Sequence, residues 1–130
     1  MPLKFTINHK DGYLTCKYLE QITDEELVAS WQKFYEGSKW IPGFNELNDL
    51  SGADLMSITT SGLRRLAQLS KTMHEKRNIK KVKVAIYAPT PLQFGLSRVY
   101  EVLAGDSPEI HKIFKNLDEA RTWLNTPTED

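Results

Sequence analysis

Apolar and polar residues alternate twice near the start of the chain. Leu3, Phe5 and Ile7 have polar neighbours, and Leu14, Cys16 and Tyr18 repeat the pattern after Lys10-Asp11-Gly12. Alternation marks a half-buried strand, and Asp-Gly between two such runs predicts a β-hairpin. The period then changes. Thr23 and Glu26 form a capping box ahead of Leu27, Val28, Trp31, Phe34 and Tyr35, which predicts a helix ending near Gly37. Residues 44–50 alternate poorly, and only their place in the succession recommends a strand. Residues 51–58 read as a turn region. Thr59, Thr60 or Ser61 can cap a second helix, with Leu63, Leu66, Ala67, Ser70 and Met73 on its inner face and Asn78 closing it.

The clearest pattern lies further on. Val82, Val84 and Ile86 alternate with Lys83, Ala85 and Tyr87, a run apolar enough to predict a strand covered on both faces. Pro89 and Pro91 end it, since neither can donate a ladder hydrogen bond. Thr90, Pro91 and Gln93 then open a capped helix carrying Leu92, Leu96, Val99, Tyr100 and Leu103, with Gly105 as its left-handed close. Residues 110–114 form a short strand with Ile113 and Phe114 inward. Asn116 and Glu119 cap a last helix packed through Ala120, Trp123 and Leu124. The order ββαβαβαβα predicts an α/β fold: a mixed sheet with one N-terminal antiparallel hairpin, right-handed crossovers and four helices. One domain is expected over residues 1–125, with 126–130 as a flexible polar tail.

Composition narrows the function classes. The 130 residues include seventeen basic and seventeen acidic side chains, so no net field recruits nucleic acid or an anionic membrane. Cys16 is the only cysteine, which excludes an internal disulfide and points to a reducing compartment. No signal-peptide core and no membrane-length apolar run is present, so a cytoplasmic location without a membrane span is expected. The basic run from Lys76 to Lys83 reads as a solvated helix end, or as a contact for nucleic acid or an acidic partner.

Chemistry is sparse. His9, His74 and His111 are far apart and outside any metal-spaced motif, so neither metal nor cofactor is expected. Cys16 sits in a strand with nothing beside it to lower its pKa. No phosphate-cradling glycine loop or nucleophile elbow occurs. Asp24, Glu25 and Glu26 crowd a helix's first turn, where they oppose the dipole. The residues therefore favour binding over catalysis, an enzyme requiring an unrecognised site. Residues 37–43 carry Trp40 and Ile41, which either fold back over the core or form an exposed patch for a protein partner, a homodimer included.

Residues 49–63, DLSGADLMSITTSGL, resemble the signature of STAS domains, the anti-sigma-factor antagonist family. There an Asp-Leu-Ser strand end leads to an Asp-Ser-Ser-Gly-Leu helix start. The later segments VAIYAP, FGLSRVYEVLA and FKNLDEARTWL are similar to the bacterial SpoIIAA-like branch, often described as SEC14-like. The resemblance implies a STAS/SpoIIAA-like fold and a non-catalytic, regulatory protein-binding role. It places Thr60 and Ser61 at the two hydroxyl positions of a phosphorylation switch, with Thr59 standing where the family has aspartate. Its SEC14-like side implies the alternative, a small-molecule or lipid-binding module with a pocket near residues 89–97. Ligands of open α/β sheets gather where parallel strands end. Gly62, Arg64, Thr90, Phe94, Gly95, Ser97 and Arg98 are the candidates there, with Trp40 beside them. The competing reading of that helix is tight packing, with Gly95 admitting a neighbouring strand and Arg98 paired to a carboxylate.

Overall fold

The computed structural model describes residues 2–127. Its elements are β1 (Leu3–Asn8), β2 (Tyr13–Gln21), α1 (Asp24–Glu36), β3 (Asn45–Asp54), α2 (Thr60–Lys76), β4 (Val82–Tyr87), α3 (Pro91–Leu103), β5 (Glu109–Phe114) and α4 (Leu117–Asn125). The strands lie side by side in chain order. β1 and β2 pair antiparallel, and every later pair is parallel. The hairpin turns on Gly12, whose φ of 72° a side chain would resist. Its N–H donates to the Asn8 carbonyl at 2.9 Å.

Helices cover both faces of the sheet. On one face Leu14, Cys16, Tyr18, Leu50, Val84 and Ile86 meet the inner sides of α1 and α2, with Leu96 and Tyr100 of α3 packed alongside. Phe5 stacks on Phe34 with ring centroids 4.2 Å apart, and Trp31 meets Phe5 edge-on at 5.0 Å, which seats α1 over β1. On the other face Tyr13, Leu47, Ala85 and Phe114 pack against Ala120 and Leu124 of α4. Each large apolar side chain so buried contributes roughly 1.5–3 kcal/mol. Lys83 shares this second face. Its Nζ donates to the Trp123 carbonyl at 2.9 Å, the Thr126 carbonyl at 2.5 Å and Thr126 Oγ1 at 3.1 Å. A cation thus closes the carbonyl end of α4, where the helix dipole favours it.

Several expectations need correction. β3 runs on to Asp54, because Gly52, Ala53 and Asp54 pair with Leu19, Glu20 and Gln21 beyond a bulge in β2; residues 51–54 are strand, not turn. Of the three caps expected for α2, Thr59 serves, accepting from the Gly62 N–H. α3 is rotated from its expected setting. Leu92 and Val99 are exposed while Gln93 and Ser97 are buried, since Gln93 bonds the Ala53 carbonyl and Ser97 the Gln93 carbonyl. Gly105 is not left-handed; the positive-φ glycines are Gly12 and Gly43, and α3 closes through the Ala104 N–H on the Tyr100 carbonyl. β5 begins at Glu109. Thr126 is held by Lys83, so the expected tail does not begin there; residues 128–130 lie outside the described residues.

Candidate functional site

Alternate residues of a strand share a face. Glu46 of β3 is therefore in register with Val84 of β4 and His111 of β5, and Asn48 with Ile86 and Ile113. Polar side chains thus enter the first, otherwise apolar face of the sheet. His74, near the end of α2, comes down on them. Its Nε2 lies 3.1 Å from Glu109 Oε2 and 3.8 Å from Glu46 Oε2. His111 Nε2 lies 2.9 Å from Glu109 Oε1. These four side chains are at most 5% exposed. Glu46 Oε2 and His74 Nδ1 have no hydrogen-bond partner.

Two sets of hydrogen bonds approach this cluster. The Trp31 indole N–H donates to the Tyr18 hydroxyl at 3.0 Å, which donates to Asn48 Oδ1 at 3.0 Å, and Asn48 lies two residues from Glu46 on the same face of β3. From the helices, Tyr35 and Ser70 share a hydrogen bond of 3.0 Å, and Tyr100 lines the cavity with Ser70 and Glu109. The two acids are pushed apart. Burial, then the nearby Glu109 charge, raises Glu46 well above the usual carboxylate range against the Asn48 bond. Burial also works to raise Glu109, but the hydrogen bonds and charges of His111 and His74 outweigh it and hold Glu109 low.

Above the cluster is a partly open cavity of about 70 Å³. Leu50, Leu55, Leu63, Leu66, Ile86 and Leu96 wall it, and Glu46, Asn48, Ser70, Tyr100 and Glu109 give it a polar floor. It lies between the sheet and the three helices that cover this face.

Of the candidate site residues named from the sequence, Ser97 alone lines this cavity. Phe94 is half-buried, with the Lys115 ammonium 4.9 Å from its ring centre. Gly95 is exposed, and a Cβ there would meet nothing within 4 Å, so no strand approaches it. Arg98 is exposed and 3.9 Å from Glu101. Thr90 caps α3, accepting from the Gln93 N–H at 3.3 Å. Trp40 is 8% exposed and packs edge-on against Tyr35 and His74, so the loop folds back and offers no exposed indole to a partner. Arg77 of the basic run lies over that indole, and Lys83 faces the opposite side of the sheet.

The start of α2 is already occupied by a carboxylate. Asp24, the first residue of α1, accepts from the Thr59 N–H at 2.9 Å and the Thr59 hydroxyl at 2.6 Å. Gly62 is buried directly beneath it. Thr60, Ser61 and Arg64 are exposed on the same turn, and Glu25 pairs with Arg65 at 2.7 Å. The acidic first turn of α1 thus docks α2 besides opposing its own dipole.

The strand order, the hairpin and the four helices define a STAS/SpoIIAA-like α/β fold. A crystal structure from Shewanella loihica PV-4, of an uncharacterized DUF3478-family protein with a SpoIIAA-like fold, superposes with a TM-score of 0.56 at 21% identity. The match covers 94% of this chain and 91% of that one. No protein-family model matches the chain, and no curated protein matches it. Among the described residues no helix is long and apolar enough to cross a membrane.

Sequence reasoning missed Glu46, Asn48, His74, Glu109 and His111. One signal was present: the poor alternation of residues 44–50 arises because the core-facing positions 46 and 48 are polar. Contacts between residues 35 apart, such as His74 with Glu109, left no local trace.

Proposed function

We propose that the chain is a small-molecule-binding module, taking a ligand with an apolar body and a polar end into the cavity beneath α1, α2 and α3. The observation that carries this reading is the cavity itself: apolar walls over a polar floor on which Glu46 Oε2 has no partner. Ligand sites commonly combine apolar walls with a few convergent polar groups. Its volume is about half that of the ~150 Å³ engineered cavity that accepts benzene. That selects a ligand of a few non-hydrogen atoms and argues against a lipid chain. The regulatory, phosphate-controlled reading has less support, because a phosphate on Thr60 or Ser61 would share the start of α2 with Asp24, and like charges there repel.

Short-chain alcohols provide the test, added to metal-free protein and followed by amide NMR. Shifts should cluster at Leu50, Ile86, Leu96 and Ser97. The variant Ser97→Leu, which puts a larger side chain at the cavity wall, should abolish them while leaving far-UV circular dichroism unchanged. Shifts scattered over the surface, or unchanged in a folded Ser97→Leu protein, would overturn the proposal.

A further inference from the structure

We infer that Glu46, His74 and Glu109 form a site for one divalent metal ion of the zinc type. The inference concerns the floor of the cavity and does not depend on what organic ligand the walls accept. One atom from each residue lies within 4.8 Å of the other two. Two of the separations are 3.1 Å, between His74 Nε2 and Glu109 Oε2, and 3.8 Å, between His74 Nε2 and Glu46 Oε2. Ligand atoms held tetrahedrally at zinc's usual distances sit about 3.3 Å apart. These two edges already bracket that spacing, so small side-chain movements would close the site.

The donor chemistry agrees. One imidazole and two carboxylates suit a borderline cation of the zinc type, whereas magnesium and calcium prefer oxygen alone. Metal binding would displace the Glu46 proton, and the dication would then neutralise both buried carboxylates. Glu46 Oε2, buried and without a partner, is the atom an ion would satisfy. His111 holds Glu109 through Oε1, which leaves Oε2 directed at His74. Outer partners of this kind commonly orient metal-binding carboxylates. Coordination through Nε2 puts the ring proton of His74 on Nδ1, a buried atom with no hydrogen-bond partner of its own. Glu46 and Glu109 both line the cavity, so a fourth position on the ion would open into it, as in zinc sites that keep one ligand exchangeable.

The full chain, stripped with a chelator and free of organic ligand, is titrated with Co²⁺ and then Zn²⁺. One equivalent of Co²⁺ should give a visible absorption band that one equivalent of Zn²⁺ removes. Glu46→Gln keeps the side-chain shape and should weaken Co²⁺ binding at least about tenfold. His9→Ala, at an exposed histidine outside the cluster, should change nothing. A readout on the unaltered chain covers the case in which Glu46→Gln fails to fold: Zn²⁺ should move the imidazole nitrogen resonances of His74 and leave those of His9 in place. Absence of the band, binding indifferent to Glu46→Gln in a folded protein, or shifts at His9 without His74 would each overturn the inference. None of these outcomes touches the alcohol-binding test, which uses metal-free protein.

Discussion

Gly62→Ala should destabilise the protein, although alanine is the better helix former. An added Cβ would lie 2.1 Å from Asp24 Oδ1, 2.3 Å from its Cγ and 2.8 Å from its Cβ. Rotating the Asp24 side chain clears the first two atoms but not the third, so α1 and α2 must also separate slightly. The rotation breaks the bonds from the Thr59 N–H and hydroxyl, at 2.9 and 2.6 Å. Hydrogen bonds to a charged group are worth about 1.5–3 kcal/mol each, and exposure puts these at the low end. Against that loss stands a gain of roughly 0.5–1 kcal/mol from replacing glycine in a helix. The expected net loss is therefore about 1–3 kcal/mol, measured by urea denaturation of both proteins. Asp24→Gly removes the obstacle, and in that background Gly62→Ala should become neutral or stabilising. A stabilised Gly62→Ala protein with Asp24 intact, or the same effect in both backgrounds, would refute the reasoning.

Two further outcomes follow from buried groups. Lys83→Met leaves the carbonyls of Trp123 and Thr126 without their ammonium partner; the expected loss is about 1–3 kcal/mol in urea melts, with α4 exchanging its amides first in hydrogen-exchange measurements. Burial, with Glu46 nearby, raises the Cys16 thiol well above its usual range, so a thiol reagent at neutral pH should react only as fast as the fold opens, and immediate labelling of native protein would contradict that placement.

Much of the fold was legible because it depends on local pattern. The alternation of Val82 to Tyr87, the Asp-Gly turn and the capping boxes at Thr23 and Thr90 all fall within a few residues and all form. The reading weakened where tertiary contacts decide. Gln93 turns inward to bond the Ala53 carbonyl of β3, which rotates α3 away from its apolar stripe, and Ser97 satisfies its buried hydroxyl on the Gln93 carbonyl. No local pattern announces that Asp24, 35 residues before Thr59, accepts from that cap of α2. The candidate site was least legible of all. Its acids stand where a strand pattern calls for apolar residues, so Glu46 weakens the alternation of residues 44–50 and Glu109 falls just outside the strand expected at residues 110–114. Of the cavity lining, Ser97 was singled out through the loop-edge rule, although the polar floor lies toward the opposite ends of the strands: Glu46 is second in β3 and Glu109 first in β5.

The central claim, a ligand pocket over a buried polar floor, is tested most directly by crystallography with anomalous scattering from protein soaked in bromopropanol. The account predicts a bromine peak between Leu50, Ile86 and Leu96, with the alcohol oxygen about 3 Å from a carboxylate oxygen of Glu46 or Glu109. Bromine found only on the outer surface, with the cavity holding water alone, would contradict it.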